Sequence, residues 1–147
     1  MNPTRATAIA RDFIVSKEPL HITALNDPVI EMLGHDPRSG YAELYWLPII
    51  GPTALWAYRR LAMRLDACPE GFPLPLVPFA AELGLGASKS GKHSPVVATL
   101  ARLVVFHHAE IQGDHLAVHT HVPPLPARYQ RRLPGHLAAA LQQELAS

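Results

Sequence analysis

Cysteine is almost absent from this sequence, since Cys68 is the single cysteine among 147 residues. One thiol cannot form an internal disulfide, and it cannot supply the cysteine cluster of a structural zinc site. Long apolar runs are absent as well, and none approaches the roughly 18 residues that a membrane-spanning helix needs. The first residues also lack the continuous apolar core of a secretion signal. We therefore expect a soluble, cytoplasmic protein without a membrane partner.

The motifs of common enzyme classes are missing too. The chain contains no GxSxG, no HExxH and no dinucleotide-binding fingerprint. Its carboxylates are few and scattered, so no pair is spaced for acid–base work. The segment GKHS departs from a phosphate-binding loop, because His93 stands where that motif needs serine or threonine. We expect no enzyme activity and no cofactor.

What the chain does have is apolar content and proline. Hydrophobic residues make up 48% of the sequence and charged residues 17%, which fits one globular domain with a sizeable core. The 15 prolines predict many short elements. The net charge is only +1, but residues 59–147 hold nine basic and six acidic residues, against four and six in residues 1–58. The positive excess therefore lies in the second part of the chain.

The best-marked helix begins at Ser94. This serine is a good N-cap, and Pro95 suits the first helical position, where a missing N–H costs nothing. Apolar residues then recur at helical spacing on one face, as Val97, Leu100, Ala101 and Val104. The opposite face carries small or hydrogen-bonding residues, namely Pro95, Ala98, Thr99 and Arg102. Two interpretations stay open: a helix that reads the major groove of DNA, and an amphipathic surface helix with a solvated arginine.

A shorter helix and a basic turn precede this helix. A proline, Pro75 or Pro78, can open the shorter helix, and its apolar face consists of Phe79, Ala80 and Leu83. Gly84 and Gly86 can close it in the left-handed conformation. The turn at residues 87–94 contains small and basic residues and no acid, and it includes Lys89, Ser90, Lys92 and His93. Small residues let the backbone approach a phosphate, and the cations can displace its counterions.

A hairpin follows the second helix, because Gly113-Asp114 separates two strand-like runs. Alternation predicts that four residues of the second run face the core, namely Leu116, Val118, Thr120 and Val122. The alternate residues, expected to face solvent, are His115, Ala117, His119 and His121. Three interpretations of these histidines stay open: a metal site, a pH-sensitive affinity for DNA, and ordinary exposed polar residues.

This succession of helix, turn, helix and hairpin resembles the winged helix-turn-helix family of DNA-binding domains over residues 51–122. In that resemblance, the helix opened by Gly51-Pro52 is the first helix, the helix begun by Ser94 is the recognition helix, and the hairpin is the wing. It implies a mainly α protein with a small β-hairpin, of the α+β class. We expect an N-terminal arm with an aromatic segment (1–50), the winged domain (51–122) and a C-terminal helical extension (123–147).

The resemblance implies a sequence-specific protein that binds double-stranded DNA and regulates transcription. It would read the major groove with residues 94–105 and contact phosphates with the 87–93 turn and the wing. The residues expected to touch DNA are Lys89, Ser90, Lys92, His93, Ser94, Pro95, Ala98, Thr99, Arg102 and His115. The alternative is a winged-helix module for protein–protein assembly that does not bind DNA. The near-neutral net charge and the aromatic run YAELYWLPII favour that alternative.

Two apolar stretches have no place in a minimal winged domain. One is the aromatic run at residues 41–50, and the other is the leucine stripe Leu137, Leu141 and Leu145. Each needs cover, from its own chain or from a second subunit. We expect a homodimer, because two recognition helices would then meet the halves of a palindromic site. For residues 1–40 two interpretations remain: an arm packed on its own domain, and an arm that crosses to a second subunit.

Overall fold

The computed structural model describes residues 3–86 and 91–146. These residues contain eight α-helices and four strands, so the expected α+β class is confirmed. Two of the residues expected to touch DNA, Lys89 and Ser90, lie outside the described residues. Within the described part of the chain, no helix combines the length and the apolar content needed to cross a membrane.

The N-terminal segment is regular structure. Its elements, in chain order, are α1 (Pro3–Ser16), β1 (Leu20–Leu25) and α2 (Pro28–Leu33). Asp27 caps α2, because its carboxylate accepts a hydrogen bond from the Val29 N–H at 2.9 Å. Gly34 ends α2, and His35 then pairs with Val122 in an isolated antiparallel bridge. This bridge ties the start of the chain to the segment that follows the hairpin.

The aromatic run is helical. It forms one π-helical turn, Ala42–Trp46, that continues into α3, Leu47–Ile50. Pro48 lies in the first turn of α3, directly after the π-helical turn. The large side chains of this run are buried in the core of their own chain, namely Tyr45, Trp46, Ile49 and Ile50.

The next helix, α4 (Pro52–Ala67), begins where the sequence predicts. Gly51 precedes it with a φ of 88°, a conformation that glycine adopts without strain. One side of α4 is buried, and it consists of Ala54, Leu55, Ala57, Tyr58, Leu61, Ala62 and Leu65.

The remaining elements are β2 (Phe72–Leu74), α5 (Leu76–Glu82), α6 (Pro95–Val105), β3 (Ala109–Gln112), β4 (His115–His119), α7 (Ala127–Gln130) and α8 (Gly135–Ala146). Gly84 and Gly86 follow α5 with φ values of 73° and 77°, so the left-handed end expected there is confirmed. The expected hairpin turn lies at Gly113, whose φ is 61°.

The four strands form one mixed sheet in the order β2-β1-β4-β3. β1 pairs in parallel with β4 and antiparallel with β2, and β3 pairs antiparallel with β4. The hairpin is therefore not a free wing, because β1 makes β4 a central strand. The expectation that Ala117 and His119 face solvent is wrong: both are buried, since this central strand is covered on both faces. Because β1 belongs to residues 1–40, that segment packs on its own chain.

The leucine stripe of α8 is largely covered by its own chain. Leu141 is buried, and Leu137 packs half-buried against the core. Leu145, in contrast, is 63% exposed. The aromatic run and the leucine stripe are therefore mostly buried within their own chain, without a second subunit.

Candidate functional site

The start of α6 has the local structure that the sequence predicts. The Ser94 hydroxyl accepts a hydrogen bond from the Val97 N–H at 3.4 Å, and Pro95 occupies the first turn. Ser94 is buried, with 3% of its surface exposed, whereas Pro95 is exposed. Ser94 therefore serves the helix end and presents little surface to a ligand.

The face of α6 that was expected to be open is not open at its centre. Thr99 is only 7% exposed, and its hydroxyl donates a 2.7 Å hydrogen bond to the Pro95 carbonyl one turn earlier. Ala98 is half-buried. The expectation that this face offers Thr99 to solvent is therefore wrong. Helical spacing located the face correctly, but it could not show that another element covers it.

Arg102 has a structural partner. Its guanidinium donates from Nη2 to the Ile49 carbonyl at 3.1 Å and from Nε to the Ile50 carbonyl. These carbonyls belong to the end of α3, where a helix has unpaired acceptors and a partial negative charge. The same guanidinium lies over the Phe106 ring, 5.0 Å from its centroid. Arg102 thus joins the end of α3 to α6.

The covering element is α1, which packs along α6. Near the start of α6, Arg11 Nη1 lies 3.2 Å from His93 Nδ1, and Lys92 Nζ lies 3.4 Å from an Asp12 carboxylate oxygen. Near the end of α6, Ala6 lies beside the same pocket as residues 104–106. The two helices are therefore antiparallel. Lys92 and His93, both expected to contact phosphates, meet side chains of α1 instead.

His115, the one hairpin residue expected to contact DNA, lies beside an acid. Its Nδ1 is 3.5 Å from a carboxylate oxygen of Asp114, and 30% of its side chain is exposed. The hairpin also presents Glu110 to solvent. This surface is therefore not a concentrated basic patch.

A cleft of about 380 Å³ opens where α1, α4 and α6 meet. Three of the residues predicted to read DNA, Ala98, Thr99 and Arg102, form part of its wall. The rest of the wall comes from α1, from the junction of α3 and α4, and from the end of α6, as Thr7, Arg11, Ile50, Gly51, Pro52, Thr53, Ala54, Val105 and Phe106. The predicted reading face is thus one wall of a small pocket.

A second feature is the outer face of α4. Trp56 is 57% exposed and Met63 is 50% exposed, although both are large and apolar. The guanidinium carbon of Arg59 lies 4.7 Å from the centroid of the Trp56 ring. Two helical turns separate Trp56 from Met63, so the three side chains share one surface, which we call the Trp56 surface.

The histidines of the hairpin region do not converge on a metal. Among the described residues, no group of three or more histidine, cysteine, aspartate or glutamate side chains could hold an ion. His119 Nε2 lies 4.0 Å from Glu110, and burial lowers the pKa of this histidine.

His108 is fully buried, and neither ring nitrogen has a hydrogen-bond partner among the described residues. Its ring packs against Trp46, with centroids 4.5 Å apart, and against Tyr58 at 5.0 Å. Burial, reinforced by the nearby His119 and His107, lowers the pKa of His108 to about 3. His108 is therefore a neutral core residue at physiological pH.

Comparisons with protein-family models, with curated proteins and with solved structures found no match for this chain.

Proposed function

We propose that this protein is a protein–protein assembly module built on a winged-helix order of elements, and that it does not read DNA with α6. The observation that carries the proposal is the position of α1, which packs along α6 on the side of Thr99 and Arg102. A major-groove reader needs side chains that project freely from an exposed helix. Here the Thr99 side chain is buried, and the Arg102 guanidinium donates hydrogen bonds to carbonyls at the end of α3.

The order of elements supports the relation to winged helices. From residue 52 onward, the chain runs α4, β2, α5, α6, β3 and β4, which is the succession of helices and strands expected of that family. The departure is β1, which enters the sheet between β2 and β4. β1 is inserted there, and α1, which precedes β1 in the chain, packs along α6. The helix that contacts DNA in that family therefore becomes an interior element here. The fold then has to contact its partner elsewhere.

The Trp56 surface is the contact we propose. Tryptophan, arginine and methionine are enriched at protein interfaces relative to the rest of the surface, and tryptophan and arginine are common among the residues that contribute most to binding. Among the described residues, Arg59 forms no ion pair with an acid, whereas the neighbouring Arg60 pairs with Glu82 at 3.3 Å. We therefore propose a partner protein that presents an apolar pocket with an acidic rim.

The test starts from affinity capture with the full chain, followed by calorimetry of each purified candidate partner. Trp56→Ala is expected to lower the affinity for a true partner by roughly 30-fold or more, the loss typical of an interface hot spot. Leu145→Ala is the matched control, because Leu145 is 63% exposed but lies on α8. Partners that bind the Trp56 variant as tightly as the wild type would rule out this surface.

DNA binding is the second candidate, favoured by the exposed Lys92 in the basic turn before α6. The test is fluorescence anisotropy with a labelled duplex at about 50 and about 200 mM salt. The assembly proposal expects no salt-sensitive binding. If binding occurs and Lys92→Ala lowers the salt slope by about one, the turn contacts phosphates and DNA binding replaces assembly as the function.

A further inference from the structure

We infer that the cleft between α1, α4 and α6 binds a small molecule through an oxyanion, either a phosphate or a carboxylate. The cleft has a volume of about 380 Å³, which accommodates a small metabolite. This inference is independent of the Trp56 surface, because none of the cleft residues belongs to it.

Arg11 is the first reason. Its Nε is buried, and it has no hydrogen-bond partner among the described residues. Its Nη1 lies 3.2 Å from His93 Nδ1, so that nitrogen of the histidine accepts and the guanidinium keeps its positive charge. A buried donor on a charged group without an acceptor costs free energy. Arg11 also lines the cleft, where an oxyanion would offset the positive charge of its guanidinium.

Arg102 brings a second positive charge to the same cleft. It reaches the wall with its guanidinium already oriented by the Ile49 and Ile50 carbonyls. These contacts use Nε and Nη2, and they hold the guanidinium plane in place. A guanidinium held in this way loses little rotational freedom on binding an anion.

The charge of the cleft is unbalanced. Two arginines line it, and no aspartate or glutamate is among its lining residues. Asp12, the acid next to Arg11 in the chain, points to Lys92 instead. The start of α4 adds to the positive potential, because no side chain caps it and Thr53 and Ala54 stand in its first turn. Two like charges in one cleft favour an anionic ligand.

The remaining wall limits the size and type of ligand. Ile50, Val105 and Phe106 make one side apolar, while Thr53 brings a hydroxyl. A compact molecule with one oxyanion and a small apolar body matches this division. A DNA strand does not, because α1 packs along the same face of α6.

The experiment is a titration of the ¹⁵N-labelled full chain with inorganic phosphate and, separately, with acetate, followed by NMR. Sodium chloride keeps the ionic strength constant. We expect saturable shifts for the amides of Thr53 and Ala54 with at least one of the two anions. The anion that gives saturation identifies the headgroup. Shifts that chloride reproduces, or that do not saturate with either anion, would overturn the inference.

Arg11→Gln is the decisive variant. It removes one charge and the buried donor, and it should raise the dissociation constant of the responding anion by roughly tenfold. Arg131→Gln is the matched control, since Arg131 is exposed and lies outside the cleft. Thr53→Val provides a second probe that keeps both charges, and it should weaken binding by a smaller factor. Equal affinity in wild type and Arg11→Gln, with both folded by circular dichroism, would refute the site.

Discussion

At the scale of single residues, Arg102 has the spacing of a DNA-reading arginine but makes structural hydrogen bonds instead. Arg102 stands on the polar face of α6, as its spacing predicts. The structure gives its guanidinium two carbonyl acceptors at the end of α3. Spacing along one helix carries no information about which other helix ends nearby. For this reason a structural arginine and a DNA-reading arginine have the same sequence signature.

Arg102→Ala should therefore destabilise the fold. We expect a loss of about 1–2 kcal/mol in the free energy of unfolding, because two charge-assisted hydrogen bonds to a helix end disappear from a partly exposed site. Urea denaturation measures this loss. Arg131→Ala, the exposed control, should change stability little. An Arg102 variant as stable as the control would show that these bonds do not stabilise the native state.

His108 leads to a prediction about pH. Its pKa is about 3 in the native protein, against an ordinary value of 6.5 that applies in the unfolded chain. Between these values the unfolded state binds a proton that the native state does not. Stability should therefore fall as the pH is lowered from about 6.5 toward 3, by up to about 1.4 kcal/mol per pH unit from this group.

His108→Phe should reduce this loss, because phenylalanine keeps a ring against Trp46 and Tyr58 and cannot be protonated. The measurement is urea denaturation at several pH values for wild type and variant. His136→Gln removes an exposed histidine and serves as the control. An unchanged pH dependence in His108→Phe would mean that other groups cause the loss.

At the scale of elements, the end of α2 depends on a close approach of two backbones. A Cβ atom added at Gly34 would collide with the carbonyl oxygens of Val122 and Ile30. This approach belongs to the bridge between His35 and Val122, where the two reciprocal hydrogen bonds are both 2.8 Å long. Glycine is common at helix ends, but Gly34 is needed here because the strand-like segment at Val122 passes beside it.

Gly34→Ala is expected to lower the free energy of unfolding by about 1–3 kcal/mol, since neither colliding atom is the end of a flexible side chain. Gly40→Ala is a matched control, because a Cβ at Gly40 meets nothing within 4 Å. Thermal or urea unfolding of the two variants separates the effect of the steric collision from the general effect of replacing glycine by alanine. Equal stabilities would contradict the close approach.

At the scale of the whole molecule, the expected oligomeric state changes because apolar stretches that could have formed a dimer interface are buried within their own chain. The aromatic run and most of the leucine stripe, which motivated a homodimer, pack on their own chain. Without them, we expect light scattering of the purified protein at micromolar concentration to give the mass of one chain, 16.1 kDa. A concentration-independent mass of two chains would support the homodimer and require an interface elsewhere, with the Trp56 surface as the first to examine.

The sequence by itself determined the local structure from residue 52 onward. Proline at helix starts, the Ser94 cap and the glycines after α5 and in the hairpin placed α4, α5, α6 and the hairpin close to where they lie, because these signals act within a few residues. Asp27 and Gly34 bound α2 through the same kind of local signal.

Only the tertiary structure decided what surrounds these elements. The parallel pairing of β1 with β4, the packing of α1 along α6 and the bonds from Arg102 to α3 all join residues far apart in the chain. Such pairings depend on the whole set of apolar faces that must be buried together, and no local pattern encodes them. As a result of these pairings, the face of α6 that was predicted to contact DNA forms one wall of a cleft.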